Sequence, residues 1–185
     1  MRVISGSARG RTLKAVPGMG TRPTTDKVKE AIFSIIGPYF DGGAVLDLFA
    51  GTGGLGIEAL SRGMDKAVFI DKEYKSIDTV RSNLKAAGLE GKAEVYKNDA
   101  ERALKALCKR EAAFDLVFLD PPYRLKMGDA LMMQMDELKL LRQQATVVLE
   151  YESSYIYPDH FGKFTQLRKA EYGETAVSIY VYDQK

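Results

Sequence analysis

The feature that most restricts the fold is a repeating unit, in which an apolar run of strand length meets a carboxylate and then a helical segment. The first run is Ala44-Val45-Leu46-Asp47-Leu48-Phe49, followed by a glycine-rich turn and a helical segment through Ile57, Leu60 and Arg62. Residues 66–70 end at Asp71 and precede a helical stretch over 74–87. Residues 93–96 run into Asn98-Asp99 and a helix over 100–109. Residues 114–119 are almost entirely apolar, as in a strand covered on both faces, and run into Asp120. A Met-rich helix over 129–141 and a fifth strand over 146–151 complete the series. Strands separated by helices pair in parallel through right-handed crossovers, which predicts a three-layer α/β sandwich. The C-terminal part breaks the pattern. Residues 164–172 and 175–182 are joined by Gly173-Glu174 alone, so they form an antiparallel hairpin that closes the sheet.

Before the first strand the chain is of a different kind. Residues 2–15 read as a short strand pair around a Gly6-Ser7-Ala8-Arg9-Gly10 turn, and Pro17-Gly18-Met19-Gly20 reads as a linker. The chain therefore divides into a basic N-terminal hairpin extension, 1–20, and a main domain, 21–185. A helix begins near Thr24-Thr25-Asp26, whose side chains suit an N-cap, and Gly37-Pro38 ends it. Its stripe is Val28, Ala31, Ile32, Ile35 and Ile36. Residues 1–30 hold seven Lys and Arg against Asp26 and Glu30, a local charge of +5 within a whole-chain charge of +2. A basic segment on a mildly acidic body fits phosphate-backbone binding, and equally a solvated surface arm. One cysteine, Cys108, and one histidine, His160, exclude an internal disulfide and any cysteine cluster or multi-histidine metal site. With no apolar run of membrane-spanning length and no signal-peptide core at residues 1–6, a cytoplasmic, metal-free protein is expected.

The turn after the first strand, Gly51-Thr52-Gly53-Gly54-Leu55-Gly56, satisfies G-x-G-x-x-G, and Asp71 follows roughly twenty residues later at the next strand end. Taken alone, that pattern suits a dinucleotide enzyme or a methyltransferase, or a tight turn with no ligand. Asp47 discriminates, because a carboxylate beside the turn opposes a pyrophosphate and suits a ligand carrying an ammonium and a sulfonium. Asp99, after the third strand, supplies an acceptor for an adenine amine. Carboxylates at the carboxyl ends of successive strands line the crevice where open α/β sheets take ligands. The candidate cofactor is S-adenosylmethionine, leaving as S-adenosylhomocysteine. Its candidate site comprises Asp47, Phe49, Ala50, Gly51, Thr52, Gly53, Asp71, Lys72, Asp99 and Ala100.

The fourth strand runs directly into Asp120-Pro121-Pro122-Tyr123. Two prolines at a strand end can simply be a stop signal. They also suit a reaction at the exocyclic amine of a nucleic-acid base, whose nitrogen lone pair is delocalised into the ring. Two fixed acceptors, the Asp120 carboxylate and a backbone carbonyl at Pro121, would hold the two N–H bonds and turn the lone pair toward the methyl group. Pro121 and Pro122 restrict that backbone, and Tyr123 would stack on the extruded base. The candidate catalytic set is therefore Asp120, Pro121, Pro122 and Tyr123.

With these motifs the chain resembles the base amino-methyltransferases, and more narrowly the bacterial 16S ribosomal RNA guanine-N2 methyltransferases named for guanine 966. The narrower likeness runs nearly end to end. It includes Arg2-Val3-Ile4-Ser5-Gly6 with Arg9-Gly10-Arg11, Arg22-Pro23-Thr24-Thr25-Asp26-Lys27-Val28-Lys29-Glu30, Gly54-Leu55-Gly56-Ile57-Glu58-Ala59-Leu60-Ser61-Arg62-Gly63 and Tyr172-Gly173-Glu174-Thr175. The resemblance implies a Rossmann-like, seven-stranded, mostly parallel sheet with its last strand antiparallel. It also implies that the basic N-terminal segment helps hold RNA, with Arg2, Arg9, Arg11, Arg22 and Thr24 as candidate contacts, although Thr24 equally suits a cap. The expected partner is 16S ribosomal RNA within a small-subunit particle, met by a monomer. The alternatives are a DNA or RNA adenine or cytosine amino-methyltransferase, a nicotinamide-dependent oxidoreductase and a non-catalytic RNA-binding protein. The short segment after Tyr123 leaves no room for a DNA target-recognition domain, and no hydride-transfer constellation accompanies the glycine turn.

Overall fold

The computed structural model of the protein describes residues 1–18, 24–122 and 126–185, so Arg22 and Tyr123 lie outside the described residues. Five strands, β1 (Ala44–Asp47), β2 (Lys66–Asp71), β3 (Ala93–Lys97), β4 (Phe114–Leu119) and β5 (Leu141–Glu152), pair in parallel. The last strand, β8 (Thr175–Tyr182), runs antiparallel to β5, and β7 (Phe164–Tyr172) runs antiparallel to β8. With β6 (His160–Phe161) the order across the sheet is β3-β2-β1-β4-β5-β8-β7-β6.

Three details depart from expectation. Among the described residues the sheet has eight strands, not seven, because β6 adds an edge beyond β7. Gly162 at φ 55° allows the tight return, and Phe161 packs 5.4 Å from Phe164 and 5.3 Å from Tyr180 between ring centroids. The Met-rich helix, α5 (Gly128–Glu137), stops earlier than its apolar pattern suggests. Lys139 at φ 55° reverses the chain, and Leu140 and Leu141 leave the helix to enter the core and β5. The N-terminal strand pair is short and irregular, with one regular antiparallel bridge, Arg2 with Thr12. Val3 N, Gly10 N and Leu13 N still donate across the pair to the Arg11, Val3 and Met1 carbonyls, while Ile4 N and Ser5 N donate to the Glu58 carboxylate, Ala8 N to Ser61 Oγ and Lys14 N to Asn83 Oδ1. Val3, Ala8 and Leu13 are nevertheless buried in the same core as the helices.

Period-two alternation along the strands sorts the apolar residues into two layers. Leu46, Val68, Ile70, Val117, Leu119 and Leu149 face α4 (Ala100–Lys109) and α5. Val45, Phe69, Leu116, Phe118 and Val148 face α1 (Asp26–Ile36), α2 (Gly54–Ser61) and α3 (Tyr74–Ala87). Thr25 caps α1, its Oγ1 accepting from Val28 N at 3.3 Å, and the most buried face of that helix is Lys29, Ile32 and Phe33. Val28, Ala31, Ile35 and Ile36 are only half-buried at its edges. The face turns this way because Lys29 meets a carboxylate. Glu58 lies 3.3 Å from Lys29 Nζ and 2.7 Å from Arg62 Nε, and Lys29 also donates to the Arg2 carbonyl at 2.6 Å. This buried cluster fastens the N-terminal segment, α1 and α2 together. No helix among the described residues is long and apolar enough to cross a membrane.

Candidate active site

Strand parity brings the carboxylates to one place. Asp47, Asp71, Asp120 and Glu150 continue the alternation that puts Val45, Phe69, Phe118 and Val148 on the α1–α3 face. They stand at the carboxyl ends of four strands that neighbour one another in the order β2-β1-β4-β5. Ala50, Gly51, Thr52 and Gly53 turn the chain there. Gly51 and Gly53 have φ of 56° and 79°, a region that favours glycine. Gly53 caps α2, and Gly56 lets that helix approach the sheet closely: a Cβ there would lie 2.4 Å from Phe69 Cε1.

Each carboxylate also has a local task. Asp47 Oδ2 accepts from Gly56 N at 3.0 Å. Burial, with only 3 % of the residue exposed, pushes its carboxyl up to about 8. The Gly56 hydrogen bond opposes that rise, while the charges of Asp71 and Glu150 add to it. Asp71 accepts from Gly51 N at 2.9 Å through Oδ2 and from Glu73 N at 2.9 Å through Oδ1, tying the glycine turn to the end of β2. Asp99 caps α4, accepting from Arg102 N at 3.3 Å, and is exposed beside buried Ala100. Lys72 is exposed, while Phe49 packs half-buried against the α4–α5 layer.

Asp120 is hydrogen-bonded to Glu150 on the adjacent strand. Both carboxyls are pushed upward. For Asp120 burial is the main cause, followed by the Glu150 charge. For Glu150 it is burial, opposed by its hydrogen bonds to Asp120 and Thr24. Thr24 Oγ1 donates to Glu150 Oε1 at 3.3 Å, so Thr24 borders the crevice while Thr25 does the capping. Pro121 is buried and Pro122 exposed.

Sequence reasoning missed Glu150, although its signal was the one that marked Asp47 and Asp120: a carboxylate closing an apolar run, Val147-Val148-Leu149. It also missed Asn83, whose Nδ2 donates to the Thr52 carbonyl at 2.9 Å and the Lys14 carbonyl at 3.0 Å, joining α3, the glycine turn and the N-terminal segment. Arg9 and Arg11 are exposed on that segment, and Arg11 Nη1 reaches the Ala86 carbonyl at 3.4 Å. Arg2 is also exposed and pairs with Asp26 at 3.5 Å. Among the described residues, no group of three or more His, Cys, Asp or Glu is arranged to hold a metal ion.

The family described as conserved hypothetical protein 95 matches residues 1–181. A Bacillus subtilis protein named "Putative rRNA methyltransferase YlbH" is 56% identical over 180 residues, covering 97% of this chain and 98% of that protein. Ribosomal RNA small subunit methyltransferase D of Haemophilus influenzae is 32% identical over 183 residues, covering 97% and 93%. A solved structure of a conserved hypothetical protein from Streptococcus pyogenes superposes with a TM-score of 0.80 at 40% identity, covering 84% of this chain and 96% of that one.

Proposed function

The chain belongs to the conserved hypothetical protein 95 family, and on that premise we propose that it transfers a methyl group from S-adenosylmethionine to the exocyclic N2 amine of a guanine in 16S ribosomal RNA. The observation that carries the proposal is the Asp120 carboxyl, at a proline-bounded strand end beside Asp47 and Glu150. The names of the two relatives support ribosomal RNA as the substrate class. The choice of guanine N2 rests on the resemblance of the Arg-Pro-Thr-Thr-Asp and Glu-Ala-Leu-Ser-Arg-Gly segments.

The residues present fit the methyl donor. A carboxyl held near 8 by burial gains most from a cationic neighbour, and Asp47 is therefore assigned to the ammonium and sulfonium end. The glycine turn leaves open space for the donor, since a Cβ on Gly51 would meet nothing within 4 Å. Asp71 with Lys72 is assigned to the ribose, and Asp99 with Ala100 to the adenine. Phe49, Ala50, Thr52 and Gly53 complete the cradle. When bound, the donor supplies an electrophilic methyl on sulfur. Asp120 and the Pro121 carbonyl would each accept an N–H of the guanine amine, so that its lone pair faces the methyl in line. Tyr123 would stack on the base. Arg2, Arg9, Arg11 and Arg22 are assigned to RNA phosphates and Thr24 to the crevice edge. A monomer acting on a small-subunit particle is the expected working form.

The test is methyl transfer from labelled S-adenosylmethionine to small-subunit particles lacking the modification, with mapping of the labelled nucleotide. Label on a guanine N2, abolished in Asp120→Ala while donor binding survives, is the expected result. Undiminished transfer by Asp120→Ala would overturn the role given to that residue.

A further inference from the structure

Glu150 takes no part in the donor cradle, yet it is buried beside the reacting position. The placement follows from strand register. Leu119 of β4 pairs with Leu149 of β5, so the next residues, Asp120 and Glu150, leave the parallel pair together on the same face. Their carboxyls therefore meet, and two carboxyls in contact can hydrogen-bond only with a proton between them. The Thr24 hydroxyl donates to Glu150 at 3.3 Å and favours Glu150 as the ionised partner, leaving the proton on Asp120. The charged group facing the pair from the neighbouring strand β1 is Asp47, another acid. Two touching carboxyls in such surroundings hold a single negative charge, because the second ionisation would set like charges against each other away from water.

We propose that Glu150 is a positioning residue for the transfer, acting through Asp120 by taking a proton from it as Asp120 takes one from the amine. The proposal rests on the amine-methylation reading above. The amine nitrogen forms a bond to the methyl carbon as the carbon–sulfur bond breaks, and that electron pair leaves on sulfur. The nitrogen then carries one proton too many. That proton passes to Asp120, whose own proton passes to Glu150, and the pair ends neutral until it returns one proton to water. The arrangement also orients Asp120: one oxygen is held by Glu150, and the other is left to accept the amine N–H. Asp120 alone would be drawn toward whichever donor was nearest.

The test compares wild type with Glu150→Gln, which keeps the shape and the Thr24 hydrogen bond but not the charge. Two measurements are made: carboxyl carbon resonances titrated by NMR in the ligand-free protein, and single-turnover transfer to particles lacking the modification. The proposal expects the two wild-type carboxyls to titrate together in coupled steps. In Glu150→Gln the Asp120 titration should move to lower pH. Transfer should slow at least about tenfold, a drop of roughly 1.4 kcal/mol in transition-state stabilisation, while affinities for S-adenosylmethionine and RNA stay unchanged. A purely structural Glu150 would leave the rate of this isosteric variant intact, and that result overturns the proposal. So do independent single-step titrations of the two carboxyls in wild type, a measurement that stands even if the variant fails to fold. Absence of transfer by wild type would overturn the methylation reading and the relay together, whereas an active wild type with an equally active Glu150→Gln overturns the relay alone.

Discussion

Replacing Asp47 with Asn should stabilise the ligand-free protein and weaken its hold on a cationic ligand, and the size of the first effect can be worked from the site. The carboxyl titrates near 3.8 when solvated and is pushed up to about 8 in the folded chain, chiefly by burial. The folded state thus binds this proton more tightly than the unfolded state. The stability tied to the protonated carboxyl is fully present below the unfolded value and is lost as pH rises toward the folded one. At about 1.36 kcal/mol per unit, that amounts to roughly 1–2 kcal/mol at pH 5 and about 4 kcal/mol at pH 7. Asparagine carries no charge at any of these pH values, and its amide oxygen can still accept from Gly56 N. The variant should therefore recover most of that stability. For a chain of this length the gain at pH 7 corresponds to a rise in melting temperature on the order of 10 °C.

Calorimetric melting of ligand-free wild type and variant between pH 4 and 8.5 measures the effect, and the difference should widen with pH. A gain equally large at pH 4.5 and pH 8 would refute the argument, because it would arise from packing and not from a buried charge. Titration calorimetry with S-adenosylmethionine gives the reverse side. Wild type at pH 7 should release close to one proton on binding as the cation draws Asp47 into its ionised form. Asp47→Asn should release none from this group and bind about 10–100-fold more weakly, the worth of one charged hydrogen bond.

Asp71→Ala removes the acceptor of Gly51 N and Glu73 N, and should weaken S-adenosylmethionine binding by about 10–100-fold; unchanged affinity by calorimetry would remove Asp71 from the donor site. Glu58→Ala leaves Lys29 and Arg62 buried without their counter-charge and strips Ile4 N and Ser5 N of their acceptor. It should cost about 3–5 kcal/mol in urea unfolding, and a cost under about 1 kcal/mol would contradict the clamp described for this cluster. The double variant Arg9→Ala with Arg11→Ala should bind RNA more weakly, with a salt dependence shallower by roughly one unit for each phosphate no longer neutralised; an unchanged slope in filter binding would take the segment out of the RNA interface.

The alternation of elements is readable in the sequence because it is local. Each strand is an apolar run and each helix a 3.6-residue stripe, and the crossovers follow from chain handedness. What escapes depends on which distant residue completes a pair. Lys29 reads as a solvated position on an amphipathic helix until Glu58 is brought against it from α2, and burial then turns α1 about its axis. The N-terminal segment reads as a hairpin because its residues favour one. Backbone bonds such as Val3 N to the Arg11 carbonyl and Leu13 N to the Met1 carbonyl keep the pair together, but the acceptors that fix it to the domain, Glu58, Ser61 and Asn83, come from distant helices.

The crevice shows the same division. Asp47, Asp71 and Asp120 can be picked out as carboxylates at strand ends, but their common face follows from the parity of Val45, Phe69 and Phe118 within the packed sheet. Glu150 is hidden because it lies inside the strand, with Tyr151 and Glu152 still to follow, so it does not read as an end-of-strand carboxylate. In the structure β5 extends to Glu152, and Glu150 turns inward beside Asp120. A strand's boundary can be wrong by a residue or two without harm to the fold. Glu150 escapes for another reason: it sits inside β5, and only the pairing of Leu119 with Leu149 brings it beside Asp120.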